Sequence, residues 1–242
     1  MLFLNWNVER PQIGCSKSER KINRVLSFAP AFFVLTETNT TLDFGSHYQT
    51  QFTEPSHRKP GPCEAVAGIY FDTRQFELVD QKETSDPTEA VCVLLNSQIG
   101  KILLYASIIP YHGYRGKDGN SPFWSEHRQA IEWHKSDWTK LAKETEMDHM
   151  LVAGDYNQHR DGVEKYGSKA IRNQLSEAFS DANLTCITEQ DFKATGLSRR
   201  SVDHVALSQK LASQILDVKA FEGKDQQGTL SDHNGITVEI GL

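Results

Sequence analysis

A layered α/β fold with mixed strand pairing is predicted by three features of the amino-acid sequence. Short apolar runs of strand length recur through its 242 residues. Four of them, Ala65 to Phe71, Phe76 to Gln81, Ala90 to Asn96 and Lys101 to Ile109, follow one another with turn residues between, so antiparallel or mixed pairing is expected over helix-crossed parallel pairing throughout. Three further stretches carry apolar residues at helical spacing. Hydrophobic residues make up 38% and charged residues 24% of the chain, which supports a packed core over disorder. No repeat and no low-complexity linker divides it, so a single domain, 1–242, is the simplest account.

Leu2 to Val8 reads as the first strand, leaving through a loop at Pro11 to Cys15. Ser16 and Glu19 have capping-box spacing, and Ile22, Val25, Leu26 and Ala29 form one stripe of a helix that Pro30 ends. Ala31 to Leu35 is apolar throughout, hence a buried strand, and delivers Thr36, Glu37 and Thr38 at its end. Tyr48 to Phe52 is a short strand, and 57–62 is a loop by its Pro and Gly content. After the four close strands comes a Gly-rich polar loop, Tyr111 to Ser121. Ser121-Pro122 reads as a cap with a first-turn proline opening a helix to about Glu144, its stripe made by Ile131, Trp138 and Leu141. His127 and His134 fall on that face, and His134 is expected to be a packed or rim histidine and not a ligand. Met150 to Gly154 is the next strand, and Lys169 to Phe179 an amphipathic helix through Ile171, Leu175 and Phe179. Ser201 to Ser208, Ile215 to Phe221 and Gly235 to Ile240 complete the strands.

The most informative stretch is Leu151 to Asn157, where an apolar run ends in Gly and presents Asp155 and Asn157. Strand alternation would point both the same way at the carboxyl end of a sheet, a usual place for chemistry in α/β proteins. An ordinary strand-to-turn exit has the same form. Other apolar runs end likewise in polar groups: Asn7, Glu37, Asp203 and the Ser231-Asp232-His233 cluster. A buried strand ending in a bare carboxylate costs desolvation energy unless a cation or hydrogen bonds meet it, and several together are hard to ascribe to coincidence.

The ordered set Asn-Trp-Asn-Val (5–8), Leu-Thr-Glu-Thr (35–38), Gly-Asp-Tyr-Asn (154–157), Ser-Val-Asp-His-Val-Ala-Leu-Ser (201–208) and Leu-Ser-Asp-His-Asn-Gly-Ile (230–236) resembles the endonuclease/exonuclease/phosphatase superfamily, of which deoxyribonuclease I and exonuclease III are members. The resemblance implies a four-layer α/β sandwich of two mixed sheets packed face to face with helices outside, and Mg²⁺- or Mn²⁺-dependent phosphoester hydrolysis. It implies Glu37 as principal metal ligand with Asn7 beside it, and Asp232 in the metal environment directly or through water. It also implies that Asp155 activates the attacking water, that Asn157 bonds the phosphate, and that Asp203 holds the His233 ring. These residue types suit the chemistry: Mg²⁺ takes hard oxygen ligands and keeps waters, and an Asp-backed imidazolium neutralises charge on phosphoryl oxygens.

One position departs from the pattern. The superfamily carries a Tyr or His where this chain has Ile108, just before the turn Pro110-Tyr111-His112-Gly113. Tyr111 or His112 could supply the missing phosphate contact, or both could be plain loop residues. His204 should face away from Asp203, Trp6 is expected in the core, and His159 and Arg160 are open between substrate contact and exposed loop. His57, Arg58, Lys59, Arg115, Lys117, Arg199 and Arg200 are candidates for a phosphate-tracking rim or simply solvated charge.

A nuclease acting on DNA is the leading expectation. A phosphatase or phosphodiesterase on inositol phosphates or phospholipid head groups is the alternative, and a binding domain without catalysis the third. The net charge of -6 does not force nucleic-acid binding, which would rest on local charge and metal ions. Cys15, Cys63, Cys92 and Cys186 lack metal-type spacing and suit free thiols. No run approaches the ~18 apolar residues of a membrane helix, and the N-terminus lacks a basic leader, so a cytoplasmic monomer is expected.

Overall fold

Two six-stranded sheets face each other in the computed structural model, which describes residues 1–56, 61, 63–160, 166–190 and 192–241. The rim candidates His57, Arg58 and Lys59 lie outside the described residues. The chain opens with β1 (Leu2–Asn7), α1 (Ser16–Leu26), β2 (Phe32–Asn39), β3 (Tyr48–Phe52) and β4 (Glu64–Asp72). It continues through β5 (Phe76–Lys82), β6 (Ala90–Ser97), β7 (Gly100–Ile108), α2 (Ser125–Glu144), β8 (His149–Asp155) and α3 (Lys169–Asp181). The last third holds β9 (Leu184–Cys186), β10 (Asp203–Ser208), α4 (Gln209–Ala212) and β11 (Ile215–Phe221). A hairpin of β12 (Lys224–Asp225) and β13 (Gly228–Thr229) precedes β14 (Gly235–Ile240). The sheet orders are β11-β14-β1-β2-β4-β3 and β5-β6-β7-β8-β10-β9, mixed because β1 runs parallel to β2 and β7 parallel to β8.

Side-chain alternation builds the layers. Phe3, Phe32, Val34, Ile69 and Phe71 of one sheet meet Val93, Leu104, Ala106, Leu151 and Val205 of the other in the central core. The intervening residues face outward. Leu4, Trp6, Phe33, Leu35 and Tyr70 pack with Val25 of α1, while Leu103, Tyr105 and Val152 pack against Ile131 and Trp138 of α2 and Leu175 and Phe179 of α3. The result is the expected four-layer α/β sandwich.

Several local expectations are corrected. Ser16 is the first helical residue of α1 and does not cap it; Cys15 sits at the cap without a side-chain bond. Helix α2 begins at Ser125, not at Ser121-Pro122, because Trp124 takes a left-handed φ of 69° and the Ser121 hydroxyl bonds Glu126 Oε1 at 2.6 Å. The second strand runs on through Glu37 to Asn39. The packed-histidine reading of α2 holds, with His127 and His134 both buried. No helix among the described residues is long and apolar enough to cross a membrane.

Candidate active site

The site follows from where the inward-facing rows end. On β1 Asn5 and Asn7 continue the face of Phe3; on β8 Asp155 continues Leu151 and Ala153; on β10 Asp203 continues Val205 and Leu207. Register places Asp203 opposite Asp155 and Ile108 opposite Asp155. Apolar residues thus fill the space between the sheets, and at one end polar ones replace them.

Gly154 lets these strands approach. Its φ is +155°, and a Cβ there would lie 1.8 Å from the Ser107 carbonyl oxygen. Asp155 follows with its side chain almost wholly buried, accepting from Asn7 Nδ2 at 3.1 Å, Asn157 Nδ2 at 3.1 Å and the Asn157 backbone N–H at 3.0 Å. The strand ends at Asp155, so Asn157 meets it through a turn with φ +47°, not through strand alternation. The second hydrogen bond of the Asn157 amide goes to the Ile109 carbonyl at 3.0 Å. Both its N–H groups are therefore engaged, and the amide holds Asp155 in place.

His233 arrives from the loop before β14. Its backbone N–H donates to Ser231 Oγ, which itself donates to the Asn7 carbonyl, and its carbonyl accepts from Trp6 Nε1 at 3.1 Å. The imidazole Nδ1 lies 2.7 Å from Asp203 Oδ2, while Nε2 is 3.9 Å from both Asp155 and Asp232 carboxylates. Burial alone would depress this imidazole, but Asp203 and Asp155 more than offset it and carry it up to about 10. Burial likewise pushes the Asp155 carboxyl up, aided by Asp203 and Glu37 and opposed by His233. The two shifts compete for one proton in a shared network, and the imidazolium is the better holder because two carboxylates face it. Asp155, Asp203 and His233 bring ligand atoms within 4.8 Å of one another.

Glu37 sits across this cluster. A φ of +45° interrupts the alternation of β2, and its carboxylate pairs with Arg10 Nε at 3.2 Å. Four of the eight left-handed non-glycine residues among those described, Glu9, Arg10, Glu37 and Asn157, surround the site. Strain of this kind, about 1–3 kcal/mol each, persists where surrounding structure enforces it and gathers at functional sites. Asp232 is largely exposed. Among the described residues the carboxylates and imidazole that converge are Asp155, Asp203 and His233, and neither Glu37 nor Asp232 joins them; the oxygen donors of all four acids are of the kind a hard divalent cation such as Mg²⁺ or Mn²⁺ takes.

The structure places the loop candidates differently from one another. Ile108 is buried and lines a small pocket with Arg10 and Glu37. Tyr111 is exposed, while His112 Nδ1 lies 2.8 Å from the hydroxyl of Tyr166, a residue the sequence did not single out. Burial raises the Tyr166 phenol, the bond from the His112 N–H lowers it, and the charge of Asp155 raises it again. Arg10 was also missed, because it depends on a contact between separate segments, while Ser231, read from the sequence only as part of its cluster, proves to bond the Asn7 carbonyl. His204 is buried against Thr188 and the Gln158 carbonyl, and Trp6 is in the core, both as expected.

No protein-family model and no curated protein sequence matches the chain. Solved structures do. The chain is similar to the endonuclease domain of TRAS1, a telomere-specific non-LTR retrotransposon, with 16% identity, a TM-score of 0.70 and coverage of 100% of this chain and 98% of that one. An AP endonuclease from Archaeoglobus fulgidus aligns over 100% of both chains at 14% identity and a TM-score of 0.67. A mannosyl-6-phosphatase of Bacteroides thetaiotaomicron aligns over 100% of both at 12% identity and a TM-score of 0.66. At these identities the likeness shows a shared fold.

Proposed function

We propose that the chain is a divalent-metal-dependent phosphoester hydrolase that cleaves phosphodiester bonds of nucleic acid, DNA foremost. The observation that carries this reading is the approach of two hydrogen-bonded groups, Asn7 and Asn157 on Asp155 and His233 on Asp203, whose charged atoms come within 3.9 Å of each other, with Glu37 acting on Asp155. Glu37, with Asn7 beside it and Asp232 at the rim, would hold Mg²⁺ or Mn²⁺, and that ion would neutralise charge on the phosphoryl group. Asp155 takes the proton of the attacking water. Asn7 and Asn157 fix its carboxylate, and Asn157 contacts phosphate only by releasing one of those bonds. Asp203 orients His233 so that Nε2–H faces a phosphoryl oxygen as a cationic donor.

An open cleft beside His233 is lined by His159, Lys193, Arg199 and Arg200, with Asp203 and Asp232 the acidic residues on it. Such local positive charge on a chain of net charge -6 supports a substrate with more than one phosphate, as a nucleic-acid strand has. The same cleft suits an inositol phosphate or a phospholipid head group, which keeps that second reading alive. A cytoplasmic location belongs to the proposal too, supported by four free cysteines.

The test is a panel of plasmid DNA, abasic oligonucleotide, RNA, inositol phosphates and a generic phosphodiester, each with Mg²⁺ and with EDTA. DNA turnover lost with EDTA, Asp155→Ala and His233→Ala supports the reading. Turnover of inositol phosphates alone replaces it with the second, and turnover indifferent to both substitutions removes it.

A further inference from the structure

We propose that the loop between β7 and α2 forms an aromatic shelf, built from Tyr111, His112 and Phe123 with Arg115 above, that stacks an unpaired nucleobase of the substrate strand. The inference rests on the phosphodiesterase reading and deepens it by naming single-stranded nucleic acid as the preferred form.

Scattered exposed apolar side chains are ordinary, but a cluster of rings is not. Tyr111 is 50% and Phe123 65% exposed, and both touch His112, whose ring stacks on Phe123 at 6.1 Å and 27° and meets Tyr111 edge-on at 6.1 Å. The shelf is held from below. His112 bonds the Tyr166 hydroxyl through its ring and its backbone N–H, its carbonyl accepts from Trp124 N–H at 3.0 Å, and its ring packs on Trp124 at 5.4 Å. The loop closes on itself where Ser121 N–H donates to the Arg115 carbonyl and Arg115 Nε donates to the Ser121 carbonyl at 3.0 Å. A side chain at Gly113 would strike the Tyr111 ring at 2.8 Å, so the backbone lies flat against it. Rings ordered before binding lose little entropy when a ligand stacks on them.

The shelf adjoins the cluster. Ile109 N–H bonds the Asp155 carbonyl and its own carbonyl receives Asn157 Nδ2, so the loop departs from the atoms that fix the candidate base. The Arg115 guanidinium stands 5.6 Å from the Phe123 ring centre. Flat apolar faces beside a cation, next to a phosphoester site, match a base flanked by phosphates, and stacking of this kind serves any base. In a duplex those faces are covered by neighbouring pairs, so only an unpaired base can reach the rings.

The probes are a fluorescent single-stranded oligonucleotide, its duplex, methyl 4-nitrophenyl phosphate as a base-free phosphodiester, and phosphatidylcholine vesicles, tested with the wild type, Phe123→Ala and Phe123→Trp. Anisotropy in EDTA reads binding without turnover, so it stands even if hydrolysis fails and the phosphodiesterase reading with it. The expected result is single strand bound more tightly than duplex, weakened on the order of tenfold by Phe123→Ala and restored by Phe123→Trp. Alongside, kcat/KM for the oligonucleotide relative to the base-free diester should fall by a similar factor. Unchanged oligonucleotide binding in Phe123→Ala overturns the proposal, as does a loss confined to vesicles or equal for both diesters.

Discussion

Gly154→Ala isolates how the fold sets the geometry of the site. The added Cβ would stand 1.8 Å from the Ser107 carbonyl oxygen and 2.9 Å from its carbon, where non-bonded carbon contacts need about 3.5 Å. Strands β7 and β8 pair Ser107 with Gly154 and Ile108 with Asp155, so relief requires them to part by roughly 1 Å or more. The backbone φ of +155° adds a cost of about 1–3 kcal/mol for any side chain. Overpacking a rigid interior typically costs a further 1–3 kcal/mol or so, and the total, about 2–6 kcal/mol, is a large share of the 5–15 kcal/mol or so that holds a typical domain. What survives folded carries Asp155 displaced, and a 1 Å misplacement costs about a hundredfold in rate. Urea denaturation followed by tryptophan fluorescence gives the first quantity, and hydrolysis per folded molecule gives the second. A variant within about 0.5 kcal/mol of wild type with undiminished turnover would refute the close approach of these strands.

Asp203→Asn keeps size but removes the charge facing Nδ1 of His233; hydrolysis should fall on the order of a hundredfold or more, and the urea midpoint at pH 7 should fall too, because the stability that the raised imidazole contributes goes with its partner. Acid should destabilise the protein through its buried histidines, with the raised Asp155 carboxyl offsetting one of them. Burial holds His127 and His134 down to about 4 and His204 to about 3, below the unfolded value near 6.5, so the unfolded chain binds protons first. Stability present above pH 6.5 is then lost as pH falls toward 4, by up to about 1.4 kcal/mol per pH unit from each histidine, and equal urea midpoints at pH 7 and pH 5 would contradict it. Asp137→Ala strands partners that now converge on one carboxylate, the Ser85 N–H and hydroxyl and the Tyr105 hydroxyl at 2.8 Å; a loss of about 2–4 kcal/mol is expected in the same unfolding assay.

What the sequence revealed followed alternation. Asp155 and Asp203 are legible because each extends a row of apolar residues on one strand face, and the layered fold because Phe3 and Leu4, or Phe32 and Phe33, face opposite ways. Glu37 was found by its motif, but its partner Arg10 was not, since their meeting needs both the β1–β2 pairing and a left-handed residue inside a strand. Tyr166 carries no local signal; it is brought in by its backbone pairing with His159. Ser121 has the residue type of a helix cap, yet Glu126 takes its hydroxyl and the helix starts later. Strands as short as β9, β12 and β13 offer too few residues for a period to register.

The link from Ser231 to the Asn7 carbonyl, and from Trp6 to the His233 carbonyl, spans more than 220 residues of chain. During synthesis β1 emerges first and must wait, its edge open, until β14 inserts beside it. A nascent chain therefore holds Asp155 before it holds His233, and the two meet once the closing strand has joined the sheet.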